Sequence, residues 1–359
     1  MRDFVYDQPA QRVIFGPGTL ASLRDEVTRL GVRRVVVITT PSELRFAEDA
    51  ASRLGELSAG IYPEVAAQHV PVELLARATE RVRALAADCY LAIGGGSTIG
   101  VAKAMALETG LPIVAVPTTY AGSEMTPIYG ITEAGLKKTG RDRKVLPKTV
   151  IYDANLTLSL PPHISGPSGV NAMAHCVEAL YAQDANPITS LIAEEGIRAL
   201  ARSLPVVVTQ PGNLEARSDA QYGAWLGGAA LGAVGMSLHH KLCHTLGGSF
   251  NLPHAETHAV ILPHATAYNR EAAPDAMRRV AAALGGVDDA AGGLFDVIQR
   301  IGAPTALKSI GMPGDGLDRA ARLATDNPYY SPRPLEYQAV RELLERAFQG
   351  TRPSSDGLY

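Results

Sequence analysis

Residues 91–98 read Leu-Ala-Ile-Gly-Gly-Gly-Ser-Thr, and this stretch joins a short apolar run to a helix-like segment, Ile99–Leu107. Consecutive glycines let a backbone approach a ligand closely and adopt dihedral angles that other residues avoid. A helix N-terminus adds free N–H groups and a positive dipole end, which favour a pyrophosphate, and Ser97 or Thr98 could cap that helix or bond a phosphate oxygen. The glycines lack the spacing of the usual dinucleotide fingerprint, so the alternative is a tight turn from strand to helix without a ligand.

The sequence around this loop alternates apolar runs with amphipathic segments. Strands are predicted at Val35–Ile38, Tyr90–Ile93, Ile113–Val116 and Val150–Tyr152, with helices at Leu20–Leu30 and Glu73–Ala87. Continuous Val and Ile runs separated by helices are typical of parallel strands that are covered on both faces. We therefore expect residues 1–157 to form a doubly wound, Rossmann-like α/β domain with a parallel sheet.

From about Ser168 onward a helical period replaces the strand pattern. The predicted helices are Val170–Ala182, Ile188–Ser203, Ala220–Ala230, Pro274–Ala283, Ala290–Ile301 and Leu335–Ala347. The segment Leu-Ser-Leu-Pro-Pro at residues 158–162 is the natural hinge, so residues 158–359 are predicted to form an all-helical substrate and catalytic domain.

Two further strand ends carry small polar residues. In open α/β sheets, ligands bind outside the carboxyl ends of the strands. The predicted cofactor-binding residues are Gly94, Gly95, Gly96, Ser97, Thr98, Thr118, Thr119, Ser123, Thr39, Thr40 and Lys138. Such folds often place an acid after the strand that ends here at Ile38, where it holds the adenosine ribose. Because Thr39–Thr40 offers none, we expect NADPH to be usable as well as NADH.

Composition excludes several classes of protein. The chain has 359 residues, with 33 Lys and Arg against 36 Asp and Glu, and it lacks the basic patch that a nucleic-acid or membrane-surface partner requires. The cysteines Cys89, Cys176 and Cys243 lie far apart, which favours a reducing compartment over a disulfide framework. The N-terminus shows no apolar signal segment, and no apolar run is long enough for a membrane span. We expect a cytoplasmic protein.

Histidine is unevenly distributed. Eight of the nine histidines lie between His163 and His264. His240 and His244 share one face of a predicted helix that Gly247–Gly248 ends, and His254 follows. Asn171 and His175 form a second pair at the same spacing, and such pairs on helices that face a cleft are typical of a transition-metal site. The alternative for any one histidine is a hydrogen-bonded structural role; we assign that role to His239, His258, His264 and His163, and leave His69 unassigned.

Over essentially its whole length the chain resembles the iron-containing alcohol dehydrogenase superfamily. The resemblance rests on Phe15-Gly16-Pro17-Gly18, the Gly94–Ser97 loop, Pro117-Thr118-Thr119, the Asn171 and His175 pair, and the segment from His240 through His244 to Asn251-Leu252-Pro253-His254. It implies an N-terminal NAD(P)-binding α/β domain, a C-terminal helical domain, an active site in the cleft between them, and commonly a dimer. Residues 118–130, Thr-Thr-Tyr-Ala-Gly-Ser-Glu-Met-Thr-Pro-Ile-Tyr-Gly, look like the maleylacetate reductase branch.

The chain departs from the metal-dependent pattern of that superfamily. The resemblance places the metal ligands at Asn171, His175, His240 and His254, where the pattern has Asp in place of Asn171. Without that carboxylate the attraction for a divalent ion is much weaker. Gly100 likewise stands where many relatives carry an Asp, which removes negative charge near the cofactor. We therefore expect no metal.

The branch implies reduction of the conjugated double bond of maleylacetate, or of substituted maleylacetates, to 3-oxoadipate in the degradation of aromatic compounds. Hydride addition to that alkene gives a delocalised enolate, which hydrogen-bond donors can stabilise while a general acid returns a proton. The predicted catalytic residues are His244 as the proton donor, His175, His240 and His254 as enolate donors, Asn171 as a neutral donor, and Tyr129. Tyr129 and the cations Arg141, Arg143, Lys144 and Arg333 are candidates for holding the carboxylates of this dicarboxylate substrate, the alternative for the cations being solvated surface charge.

Other functions remain open from sequence alone. In a metal-dependent alcohol dehydrogenase, the amide oxygen of Asn171 would still bind iron or zinc. A lyase similar to dehydroquinate synthase shares the two-domain plan and requires NAD and a metal, but it consumes no nicotinamide. A non-catalytic cofactor-binding module fits poorly, because the helical domain has many convergent polar groups.

Overall fold

The computed structural model describes residues 3–63, 72–133 and 136–354, so His69 lies outside the described residues. The chain divides into two compact units, one spanning Gln8–Leu160 and the other comprising Pro161–Tyr359 with the described part of Met1–Asp7. The boundary expected from sequence, between residues 157 and 158, falls just before this division.

The first unit is built on a parallel sheet, as the sequence predicted. The strands in the described ranges are β1 (Arg12–Phe15), β2 (Val35–Ile38), β3 (Ser58–Tyr62), β4 (Cys89–Gly94), β5 (Ile113–Pro117), β6 (Ile128–Glu133), β7 (Leu136–Arg141) and β8 (Thr149–Tyr152). The helices of this unit are α1 (Leu23–Arg29), α2 (Leu44–Leu54), α3 (Val72–Ala84) and α4 (Gly96–Thr109). Six strands pair in the order β1-β8-β5-β4-β2-β3, each pair parallel, while β6 and β7 form an antiparallel hairpin.

Strand β2 shows why the central strands read as unbroken apolar runs. Val36 and Ile38 pack into the core cluster that contains α3 and α4, whereas Val35 and Val37 pack into the cluster that contains α1 and α2. Alternate side chains of a strand point to opposite faces, so helices on both faces of the sheet require apolar residues at every position.

The register of the sheet brings three strand ends to one edge. Ile38 of β2 lies opposite Ala92 of β4, and Gly94 of β4 lies opposite Pro117 of β5. The residues that follow these ends are Thr39–Thr40, Gly95–Thr98 and Thr118–Thr119. The polar residues that the sequence marked as strand ends are therefore neighbours.

The second unit is helical, as predicted. Its described helices are α5 (Pro162–Ala179), α6 (Pro187–Thr209), α7 (Leu214–Ala233), α8 (Leu238–Phe250), α9 (His254–Tyr268), α10 (Pro274–Ala283), α11 (Ala290–Arg300), α12 (Leu317–Asp326) and α13 (Tyr337–Gln349). Within the described residues, none of the helices combines the length and apolar character that crossing a membrane requires. The three cysteines are free and buried.

Helix α8 contradicts one prediction, because Gly247–Gly248 does not end it. The helix continues to Phe250 and ends at Asn251, whose φ of 53° is left-handed. Asn tolerates this conformation better than most residues, so it takes the place that the sequence suggested for glycine. Leu242 and Leu246 of α8 are buried in the core cluster, and this tertiary packing overrides the weak helix preference of the two glycines.

Close packing of α7 on α5 fixes the helix that carries Asn171 and His175. A Cβ at Gly227 would lie 2.5 Å from the carbonyl oxygen of Ala172, which is next to Asn171. Backbone cannot move aside as the end of a flexible side chain can, so only glycine fits at this crossing.

We predict that Gly227→Ala lowers the free energy of unfolding by about 1–3 kcal/mol, since overpacking displaces α7 from α5. Gly248→Ala is the matched control, because a Cβ there meets nothing within 4 Å and alanine gains up to about 1 kcal/mol of helix preference. Chemical denaturation of both variants measures the difference. Equal stability of the two variants would contradict the packing argument.

Candidate active site

The glycine loop after β4 fits a dinucleotide cofactor. Gly94 has a φ of 154°, and a Cβ there would lie 2.8 Å from a carboxylate oxygen of Glu43 and also strike the side chain of Thr98. A Cβ at Gly95 would approach Thr119 at 3.0 Å. Larger residues at these two positions would therefore clash with side chains that pack around the loop, so the turn from β4 to α4 requires glycine.

The N-terminus of α4 has no side-chain cap, contrary to the possibility raised for Ser97 and Thr98. Gly95 is the N-cap residue, and among the described residues it provides no side-chain cap for the first turn. In the part of the chain that the structure describes, the buried hydroxyl oxygens of Thr39 and Thr98 also have no hydrogen-bond partner. Uncapped amides and orphaned hydroxyls at one sheet edge suit the phosphate and ribose groups of a nicotinamide cofactor.

Lys103 is a residue that sequence reasoning missed. It is fully buried on α4, and its Nζ donates to the carbonyl oxygens of Thr126 at 2.8 Å and Ile128 at 2.9 Å, and to the Ser123 hydroxyl at 3.3 Å. Burial lowers the pKa of Lys103 to about 7. The lysine holds the predicted residue Ser123 in place. Lys138 lies on β7 opposite Ile131, and its side chain is outside the described part.

Glu43 is a second residue that the sequence analysis overlooked. It ends the short 3₁₀ turn Pro41–Glu43 after β2, and its carboxylate accepts hydrogen bonds from the hydroxyls of Thr40, at 3.1 Å, and of Thr118. Thr39–Thr40 itself offers no acid, as the sequence shows, but the turn that follows brings the carboxylate of Glu43 to this strand end. Glu43 lies several residues beyond the end of β2 in the sequence, and only the turn Pro41–Glu43 brings its carboxylate back to Thr40. Inspection of the residues directly after the strand therefore does not find it.

The second unit gathers histidines from three helices. His175 lies on α5, His240 on α8, and His254 and His258 on α9. The rings of His175 and His240 stack with centroids 5.0 Å apart, while His258 has its ring centroid 5.0 Å from that of His240 and 4.4 Å from that of His254. Asn171 lies one turn before His175 and is buried. Residues that the sequence grouped by spacing thus form one cluster.

Glu178 organises this cluster and was not predicted. It is fully buried, and its carboxylate accepts hydrogen bonds from the amides of Ser237 at 2.8 Å and His239 at 2.7 Å, and from Nδ1 of His240 at 2.7 Å. The carboxylate therefore makes His240 carry a proton on Nδ1, which leaves Nε2 for the cluster. Within the described residues Nε2 of His240 has no hydrogen-bond partner. The signal in the sequence was the three-residue spacing from His175, which places both on one helix face.

His239 and His258 were assigned structural roles, and the structure places both in the cluster. Nε2 of His239 lies 2.8 Å from Nδ1 of His258 and 3.6 Å from Sγ of Cys243. Burial, followed by repulsion from neighbouring imidazoles, lowers the pKa values of His175, His239 and His258 well below the ordinary value. These three rings are therefore neutral at neutral pH.

At the four positions that the resemblance implied for a metal, the side chains are three imidazoles and one neutral amide, with no carboxylate among them. Among the described residues, the group of potential ligands whose atoms approach within 4.8 Å of one another is His239, Cys243 and His258, not His175, His240 and His254. The fourth implied position, Asn171, is a neutral amide and a weaker ligand than a carboxylate.

His244 lies at the exposed side of the cluster. Its ring centroid is 6.1 Å from that of His240, and its Nδ1 is 3.2 Å from the Tyr329 hydroxyl. His163 is exposed, whereas His264 is buried with its pKa lowered to about 3, chiefly by desolvation. These two histidines remain outside the cluster.

The candidates for substrate carboxylates are divided between the units. Tyr129 lies on β6 and Arg141 on β7, with Arg143 and Lys144 in the short 3₁₀ turn that follows β7, all in the first unit. Arg333 belongs to the second unit, where its guanidinium lies 4.3 Å from the ring centroid of Tyr268.

Comparison with known proteins matches both units to one family. The model described as iron-containing alcohol dehydrogenase covers residues 10–154, and the model described as the C-terminal part of the Fe-containing alcohol dehydrogenase family covers residues 166–348. A maleylacetate reductase of Burkholderia cepacia is 55% identical, with 99% of this chain and 100% of that protein covered.

Solved structures agree with this assignment. The crystal structure of maleylacetate reductase from Agrobacterium tumefaciens has a TM-score of 0.95 at 55% identity, covering 98% of this chain and 100% of that one. An iron-containing alcohol dehydrogenase from Corynebacterium glutamicum has a TM-score of 0.93 at 45% identity, covering 98% of each chain. The chain belongs to the iron-containing alcohol dehydrogenase family.

Proposed function

We propose that the chain is an NAD(P)H-dependent maleylacetate reductase, which reduces the conjugated double bond of maleylacetate, or of substituted maleylacetates, to 3-oxoadipate. The observation that carries the proposal is the 55% identity to a maleylacetate reductase over almost the whole chain. The cluster of neutral imidazoles beside Asn171 supports it, because this chemistry develops negative charge on the substrate. We also propose that the protein acts in the cytoplasm, in the degradation of aromatic compounds. By analogy with the family, we propose that it is a homodimer.

The bound nicotinamide supplies the hydride, as NADH or NADPH. The chain contributes the glycine loop, whose uncapped amides bind the pyrophosphate, and the hydroxyls of Thr39 and Thr98, which face the same edge. Lys103 keeps the segment from Ser123 to Ile128 in position, since it donates to three residues of that segment.

We propose that the reaction needs no metal. Hydride addition to the alkene carbon of maleylacetate produces an enolate, whose charge is spread over a conjugated system and can be held by hydrogen-bond donors. We propose His175, His254 and Asn171 as such donors. Because Glu178 holds the Nδ1 proton of His240, the Nε2 of a neutral His240 is an acceptor, so His240 donates to the enolate only as the imidazolium.

His244 is proposed as the general acid that protonates the enolate carbon. It is exposed, so it can regain a proton from solvent, and the Tyr329 hydroxyl holds its Nδ1 at 3.2 Å. Imidazole can both give up and regain a proton, which is what a general acid in a repeated cycle requires.

The first prediction concerns metal. Protein treated with chelator and then freed of it is expected to oxidise one NADH per maleylacetate at an undiminished rate, measured at 340 nm. Added Zn²⁺ or Fe²⁺ is expected to give no increase. Loss of activity that returns with metal would instead favour a metal-dependent alcohol dehydrogenase, and turnover without net NADH oxidation would favour a lyase.

The second prediction concerns the proton donor. His244→Ala is expected to lower kcat about 10²–10⁴-fold, the usual contribution of a general acid, with little change in the melting temperature because His244 is exposed. Tyr329→Phe should have a smaller effect, since it removes only the orienting hydroxyl. Wild-type kcat in folded His244→Ala protein would remove His244 from the role.

The third prediction concerns Glu178. In Glu178→Gln the amide nitrogen must face an N–H group, so we expect the free energy of unfolding to fall by about 1–3 kcal/mol. We also expect a reduced kcat, because His240 loses its fixed tautomer. The ¹⁵N chemical shifts of His240 report that change directly. Glu271→Gln, at an exposed site, is the control; identical His240 shifts in both variants would refute the orienting role.

A further inference from the structure

The carboxylate of Glu43 lies where three strand ends of the sheet meet. It accepts hydrogen bonds from the hydroxyls of Thr40, after β2, and of Thr118, after β5. One of its oxygens lies 2.8 Å from the position that a Cβ would occupy if Gly94, the last residue of β4, were replaced by alanine. Two hydroxyl donors from different strand ends hold the carboxylate in this place. The group is therefore positioned before any ligand arrives.

The charge of Glu43 is not neutralised by a basic partner. Within the described ranges, its hydrogen bonds come from the threonine hydroxyls, and no Lys or Arg forms an ion pair with it. Hydroxyl donors carry no charge, whereas an arginine would offset the charge of a carboxylate. The edge that binds the cofactor therefore carries an anion.

An acid at this place discriminates between the two nicotinamide cofactors. The glycine loop follows β4, and β2 is its neighbour in the sheet. In dinucleotide-binding sheets, an acid after the strand beside the glycine loop accepts hydrogen bonds from the hydroxyls of the adenosine ribose. The additional phosphate on that ribose in NADPH is a dianion, which a fixed carboxylate repels.

Resting on the proposed use of a nicotinamide cofactor, we propose that Glu43 is the residue that makes this chain favour NADH over NADPH. It accepts hydrogen bonds from the ribose hydroxyls of NADH and repels the ribose phosphate of NADPH. Although Thr39–Thr40 provides no acid, the site still distinguishes NADH from NADPH, because Glu43 in the following turn supplies the negative charge.

Binding of cofactor fragments tests this inference without the reaction. Calorimetry with ADP-ribose and with 2′-phospho-ADP-ribose measures the ratio of the two Kd values for the wild type, Glu43→Gln and Glu43→Ser. The wild type is expected to bind ADP-ribose at least about tenfold more tightly, and both variants are expected to reduce that ratio about tenfold, which equals ~1.4 kcal/mol. Glu48→Gln, which removes an exposed charge from α2, should leave the ratio unchanged.

Two results would overturn the inference. An unchanged ratio in folded Glu43 variants would show that the carboxylate does not face the ribose, while the proposed reductase activity would stand. Equal tightening of both fragments would place Glu43 beside the pyrophosphate instead. If neither fragment binds the wild type, the use of a nicotinamide cofactor fails together with the inference, and the 340 nm assay reports that failure separately.

Discussion

The buried carboxylate of Glu178 is the constraint on which the histidine cluster of the helical unit depends. It joins α5 to the beginning of α8 through two backbone amides and fixes the ring of His240 through a third hydrogen bond. A carboxylate removed from water is costly unless each oxygen finds donors, so the position of α8 relative to α5 is set by where those donors lie. The spacing between His175 and His240 follows from the same arrangement.

The histidine rings of the cluster around Glu178 include three that are uncharged at neutral pH. Burial removes the tendency of His175, His239 and His258 to bind protons, and each ring makes protonation of the next less favourable. Neutral imidazoles attract a cation less strongly than carboxylates do. Replacing one acid by Asn171 is thus consistent with a change in the charge of the species that the site stabilises.

The sequence predicted those parts of the molecule in which local pattern and tertiary environment agree. Val35–Ile38 and Ile113–Val116 are apolar because both faces of the sheet are covered, so the four central strands were found. Strand β3, Ser-Ala-Gly-Ile-Tyr, lies at the edge of the sheet, and it carries no such signal. Glu178, Glu43 and Lys103 were missed for another reason. Their hydrogen-bond partners are distant in the chain. From sequence alone, a charged residue that is buried against such a partner cannot be told apart from a charged residue on the solvated surface.

The three buried thiols have a chemical consequence. Burial raises the pKa values of Cys89 and Cys176 to about 12 and that of Cys243 well above its ordinary range. Since only the thiolate attacks electrophiles or is readily oxidised, the buried thiols of Cys89 and Cys176 stay in the unreactive protonated form at neutral pH. Alkylating reagents and mild oxidants are therefore expected to react slowly with the cysteines of the folded protein, even without a reducing agent.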